Sequence, residues 1–244
     1  SLAITATVLL ALTRSIWLHH VLAEVYSLSM TITALLLLIA LWPEPEKHPF
    51  NTRWWRLYAL AIVGGVGVAH HRAIAFLAPG LIAAVWPDLR GERRAWSRIL
   101  TRALGLGLAG FLPYIYLPLR DWQNGAWVYG EPGTLKGFWI EFTGREADHL
   151  VTLPDGFGGL LDNLRSVGDI LITELTLPGL ILAMASLFFC VLVGPHRRTA
   201  RILALCGVGP LLFAIAFHTA VMPQAVLMPV VLLLVMAVAL AADT

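Results

Sequence analysis

Apolar residues run along this chain in blocks long enough to cross a membrane, and polar residues collect between them. A bilayer core about 30 Å thick takes roughly 20 apolar helical residues. Eight segments read as candidate spans: 1–16, 23–42, 55–69, 72–87, 99–118, 169–194, 202–220 and 223–242. The blocks 33–41 and 226–242 contain no charged residue at all. The third and fourth spans are short, and they also read as one broken re-entrant pair. The expected fold is therefore all-α, a polytopic transmembrane helix bundle of about eight spans, with 1–244 as one transmembrane domain.

The segments between the blocks fall into two sets. One set comprises 43–54, 88–98 and 195–201; with Arg56 and Arg102 it holds eleven of the seventeen Lys and Arg residues. The other comprises 17–22, 70–71, 119–168 and 221–222; with adjoining helix ends it holds ten of the fifteen acids and six of the eight histidines. Basic loops favour the cytoplasmic side of a membrane. The alternation places both chain ends inside and the acidic, histidine-bearing set outside, as in a bacterial cytoplasmic (inner) membrane.

Composition narrows the class further. Only 13% of residues are charged, 58% are hydrophobic and the mean hydropathy is +0.77. A globular domain carries about 25% charged residues, so this chain has too little charge to cover a water-facing surface. Cys190 and Cys206 lie inside apolar runs without metal-type spacing and read as small buried hydrophobes. The glycine clusters 64–67 and 105–110 read as close helix packing. Ser1 opens directly on an apolar run with no basic region before it, so the sequence reads as beginning within a larger protein.

The fifty-residue connection 119–168 is the largest, and long ordered loops carry function out of proportion to their length. Its aromatic content, including Trp122, Trp127, Tyr129, Phe138, Trp139 and Phe142, predicts order. Short interfacial helices are expected at 135–142 and 158–167.

Ionisable residues at membrane depth are costly and mark cavities or reaction sites. Glu24, four residues after His20, sits at the outer start of the second span. It reads equally as a helix N-terminal acid or as a carboxylate facing an external cavity. His70, His71 and Arg72 form a polar knot between two apolar stretches; Arg72 suits a forked contact with phosphate or carboxylate, or an ion pair with Glu24. Arg120 ends a span rich in Tyr and Pro, where a snorkelling anchor is the commoner role. Segment 127–149 mixes Glu131, Lys136, Glu141, Arg145 and His149 with aromatic rings, which suits a sugar or lipid headgroup and equally an interface-resting loop. There is no phosphate-cradling Gly-rich loop followed by Lys-Ser/Thr, no HExxH, no GxSxG and no nucleic-acid motif. No motif implies a metal, while His70, His71 and nearby acids leave a metal site open.

Four stretches occur together and in order: AEVYSL at 23–28, HHRAIAFLAPG at 70–80, YIYLPLR at 114–120 and W…GEPGTLKGF…FTGR at 127–145. Together they resemble a large bacterial membrane family, long described only as a domain of unknown function. That family is related to the animal transmembrane O-mannosyltransferases of plexin-type receptor domains. It is similar to the GT-C superfamily, whose members transfer sugars from polyprenyl-phosphate donors. The resemblance implies a GT-C-like bundle and a membrane glycosyltransferase when the protein is intact. Its donor would be a polyprenyl-phosphate sugar, with mannose the candidate, and its acceptor a protein or glycan at the outer face. It also implies Arg72 and Arg120 for the lipid phosphate, with His70 and His71 assisting. Trp127, Tyr129, Glu131 and Arg145 would border the sugar or acceptor, and Glu24 would orient Arg72 or contact the donor. The family's catalytic carboxylate lies in an acidic first external loop, so the base is expected upstream of Ser1, with Glu24 as the fallback, and this fragment is expected to be inactive alone. The family also carries His before the Thr-Gly of the fourth motif, where this chain has Glu141 and Phe142. A transporter or flippase of lipid-linked substrates would share the bundle and the intramembrane charges, and a non-catalytic membrane scaffold is the third reading. No two-fold repeat of the kind common in transporters is visible.

Overall fold

A computed structural model describes residues 2–21, 25–43, 54–91, 93–126, 128–145, 151–219 and 223–244; for 2, 3, 19, 20, 218 and 219 it describes the backbone alone. The helices among the described residues are α1 (Leu2–Ala11), α2 (Arg14–Val21), α3 (Tyr26–Leu41), α4 (Trp55–His70), α5 (Ala78–Arg90), α6 (Trp96–Ala109), α7 (Tyr116–Trp122), α8 (Leu135–Thr143), α9 (Gly156–Leu175), α10 (Leu177–Leu192), α11 (Arg197–Ala216) and α12 (Pro223–Ala242). Short 3₁₀ turns lead into α5, α6 and α7. Two-residue strands β1 (Val151–Thr152) and β2 (His218–Thr219) pair antiparallel.

The fold is all-α. Three continuous helical segments are long and apolar enough to cross a membrane: Arg72–Arg90, Arg197–Ala216 and Pro223–Ala242. Two bent pairs raise the number to five at most among the described residues. The other segments read as spans form helices too short to pass that length test singly, such as Tyr26–Leu41. Large apolar side chains face outward along the bundle, for example Leu104 at 63% exposure, Leu108 at 61% and Leu212 at 60%. Such a surface suits the interior of a membrane.

The expected span 169–194 is corrected. It is two helices, α9 and α10, meeting at 99°. Pro178 explains the break: a proline ring clashes with the carbonyl four residues back, here that of Glu174, so the helix cannot continue through it. Thr176, at φ 61°, makes the turn, and its hydroxyl accepts from the Gly179 N–H at 3.4 Å to start α10. The short helix expected at 158–167 is the first half of α9. Gly110 and Pro113 likewise break 99–118, giving α6 and α7 with a 44° bend.

The described parts of the two loop sets lie at opposite ends of the bundle. At one end Arg56, buried, donates from Nη2 to the Trp42 carbonyl at 2.8 Å, Trp96 Nε1 donates to Leu89 O at 2.7 Å, and His196 lies 3.7 Å from Asp243. At the other end lie the α4 terminus, the 111–145 segment and the β1–β2 pair. The core between them is apolar, with Leu36, Leu37, Leu77, Leu203, Leu227 and Met228 almost wholly enclosed.

Candidate functional site

Residues 111–145 pack over the end of α4 and bring aromatics, cations and a carboxylate around one recess. Its organiser is α8. Thr134 caps it, accepting from the Gly137 N–H at 3.0 Å. Gly144 ends it in the left-handed region at φ 64°, where a side chain would be strained. Phe142 anchors it, its ring stacked on Phe138 at 5.7 Å and meeting Tyr114 edge-on at 5.2 Å. Tyr114 in turn donates from its hydroxyl to the Ala69 carbonyl at 3.1 Å, tying this layer to α4.

Arg72 completes the anchorage. Its guanidinium donates to the carbonyls of Phe142 and Thr143. A helix C-terminus leaves such carbonyls without intrahelical partners and carries partial negative charge, so a cation there is favoured. The polar knot of the sequence is thus a clasp holding α8 against the start of the Arg72–Arg90 segment. His70 is part of the same fastening: Nε2 lies 2.9 Å from Val25 O, so the ring donates. His71 presents its ring to Tyr26 at 5.6 Å, tilted 72°. Burial, and secondarily the neighbouring His70, holds its pKa below the usual 6.5. Its Nδ1 is buried without a hydrogen-bond partner.

On the other flank of α8, Asp121 Oδ2 accepts from the Gly133 N–H at 2.7 Å and Trp122 Nε1 donates to Gly133 O at 3.0 Å. These bonds fold the 130–134 turn down beside an open recess of about 230 Å³ lined by Tyr116, Arg120, Val128, Tyr129, Pro132 and Glu141. A guanidinium, a carboxylate and two phenol rings facing one small space make a recess for a ligand rich in hydroxyl or phosphate oxygens.

The structure therefore brings Arg120, Tyr129 and Glu141 to one cavity, whereas Arg72 binds the C-terminal carbonyls of α8 and is not among the residues lining this cavity. Glu131 does not line it; its backbone sits at φ 51° and its carbonyl accepts from Thr134 N–H and Oγ1, both at 3.0 Å. Arg145 is exposed beyond the end of α8. Glu24 and Trp127 lie outside the described residues, as do Glu146, Asp148 and His149. Among the described residues no three His, Cys, Asp or Glu side chains gather in a metal-binding group. Sequence reasoning placed Glu141 in the mixed polar and aromatic segment 127–149 and noted it as a departure from a pattern, without singling it out as a site residue. Its signal is positional: on a 3.6-residue helix it shares a face with Gly137 and Phe138, the face that packs down.

Residues 1–88, which include the His70–Arg72 clasp, match the family described as the N-terminal domain of protein O-mannosyl-transferase TMEM260. The chain is a distant homologue of that transferase over most of its length. Protein O-mannosyl-transferase tmem260 of Dictyostelium discoideum is 25% identical over 201 residues, covering 76% of this chain and 24% of that protein. The mouse protein O-mannosyl-transferase TMEM260 is 28% identical over 141 residues, covering 57% of this chain and 20% of the mouse protein. The chain thus spans about a quarter or less of the TMEM260 relatives it matches. No solved structure matches.

Proposed function

We propose that the intact protein is a membrane glycosyltransferase of GT-C type. It would move a sugar, mannose by the relatives' names, from a polyprenyl-phosphate donor to a hydroxyl of a protein or glycan acceptor. The observation that carries this reading is the cavity shared by Arg120, Tyr129 and Glu141, in a chain homologous to O-mannosyltransferases. In this reading eight segments cross the membrane, with α1–α2 and α6–α7 each counted once and α9 excluded.

The transfer forms a bond from the acceptor oxygen to the sugar's anomeric carbon and breaks that carbon's bond to the phosphate oxygen. The acceptor proton goes to a carboxylate base, upstream of Ser1 or Glu24, and the phosphate leaves with the bonding electrons. Arg120 stabilises the negative charge that develops on the leaving phosphate. Glu141 accepts hydrogen bonds from sugar hydroxyls, and Tyr129, 69% exposed, stands at the mouth. Arg72 acts through α8, whose C-terminus it holds.

The test is a transfer assay with labelled polyprenyl-phosphate sugars and the full-length protein. Arg120→Ala and Glu141→Gln are expected to lower transfer by about 10²-fold or more, the scale of losing one charge-stabilising group, with membrane insertion unchanged. Arg72→Ala is expected to abolish transfer as well, with faster proteolysis of the 123–155 connection. Wild-type rates in both Arg120→Ala and Glu141→Gln would remove the cavity from the mechanism.

A further inference from the structure

Two further cavities lie around α9 and share no lining residue with the site above. Helix α9 crosses the bundle end. Asn163 Nδ2 donates to the Ile215 carbonyl of α11 at 3.0 Å, Val167, Ile170 and Leu171 pack with Leu227 of α12, and Glu174 reaches the start of α2. There the Ser15 N–H donates to both carboxylate oxygens at 3.1 and 3.0 Å, and its hydroxyl donates at 2.5 Å. Glu174 is thereby fixed as a ridge between two spaces of about 470 Å³ each. That volume is ordinary for a ligand pocket.

The two spaces differ in chemistry. One is an apolar groove between α1, α10 and α12, lined by Leu9, Leu12, Leu182, Val235 and Val238. Leu12 is 69% exposed and Leu182 is 56% exposed, so the groove opens sideways, toward the lipid. The other is a polar recess beside the first turn of α12, lined by Arg14, Asp162, Arg165, Asp169 and Gln224. Asp162, Arg165, Asp169 and Thr173 follow helical spacing and form one stripe of α9. Arg165 and Asp162 pair at 3.3 Å, whereas Arg14 and Asp169 make no ion pair among the described residues.

We propose that this joined groove and recess bind a glycerophospholipid whose headgroup carries a primary ammonium. The acyl chains would lie in the groove, the phosphate against Arg14 and the ammonium against Asp169. The charge balance selects the class. The recess holds two guanidinium groups and three carboxylates, one of which, Glu174, also accepts from Ser15. A purely anionic headgroup would meet these carboxylates without a cation of its own. A choline headgroup has no N–H to donate to Asp169, whereas a primary ammonium has three.

The test uses the full-length protein, delipidated in detergent and then incubated with vesicles of phosphatidylethanolamine, phosphatidylcholine or phosphatidylglycerol with identical acyl chains. Retained lipid is counted by native mass spectrometry. The ethanolamine lipid is expected to be retained several-fold more than the other two. Arg14→Gln and Asp169→Asn, both at positions lining the recess, are expected to erase that preference without changing the melting temperature of the delipidated protein. Gly179→Leu, which fills the groove at a site with room for a side chain, is expected to lower retention of all three. Equal retention of the three headgroups, a preference that survives both charge variants, or no retained lipid because another segment of the protein fills the groove would each overturn the proposal. None of these outcomes depends on transfer activity.

Discussion

At the scale of single residues, the site is a matter of which way a few polar groups turn. His71 is the sharpest case, with its Nδ1 enclosed and its pKa held down by burial. A histidine whose folded pKa is depressed stays neutral in the native state while the unfolded chain takes up a proton. Between the two values the unfolded state binds more protons, so stability is full above about 6.5 and falls as pH drops toward the folded value. His71→Phe keeps an edge contact with Tyr26 and removes the titration. Its melting temperature is expected to decline less than that of the wild type as pH falls below about 6.5; parallel curves would show that His71 contributes nothing. The residue types at this site are readable in the sequence, but their assignments are only partly so. Arg120 and Tyr129 line one cavity. Glu131 and Glu141 look alike in a string of letters. Which one enters the cavity is decided by the turn at 130–134, where Glu131 adopts a positive φ and gives its carbonyl to Thr134. Arg72 reads as a ligand group, but its partners are carbonyls some seventy residues away, which no local pattern reveals.

At the scale of elements, proline and glycine explain most of what hydropathy alone misses. Segment 169–194 is apolar enough to read as one span, yet Pro178 marks its break. Helix α8 is visible in advance, since Thr134 and Gly144 punctuate it. The glycine clusters act as packing surfaces, and they make a paired prediction possible. A Cβ at Gly65 would overlap the Gly107 carbonyl oxygen, so α4 and α6 touch backbone to backbone. A methyl group at Gly64, its neighbour, would meet nothing within 4 Å. Gly65→Ala must push the helices apart, at a cost of about 1–3 kcal/mol for overpacking. Gly64→Ala is expected to stay within about 0.5 kcal/mol of the wild type. Thermal unfolding of the two variants in the same detergent compares them directly. Equal stability would mean that α4 and α6 do not meet through these glycines.

At the scale of the whole molecule, the described parts of the two loop sets fall at the two ends of the bundle. Eleven of the seventeen Lys and Arg residues sit in or beside the first set, while the aromatic cavity and the α9 recess lie at the other end. Charge asymmetry of this kind orients a polytopic protein with its basic loops inside. In that orientation both cavities would open to the outer compartment, where the proposed donor and acceptor would meet. Orientation can be measured without any assumption about chemistry. Arg94 and Lys136 are exposed at the two ends, and both native cysteines, Cys190 and Cys206, are buried, so background labelling is low. A membrane-impermeant thiol reagent is expected to label Lys136→Cys in sealed right-side-out vesicles and Arg94→Cys in inverted ones. The two labels must exchange when the vesicles are inverted, because the ends they report are separated by the apolar core. If both cysteines react from the same face, the bundle does not cross the bilayer along its long axis. Arg120 and Glu141 would then have no outer compartment to serve.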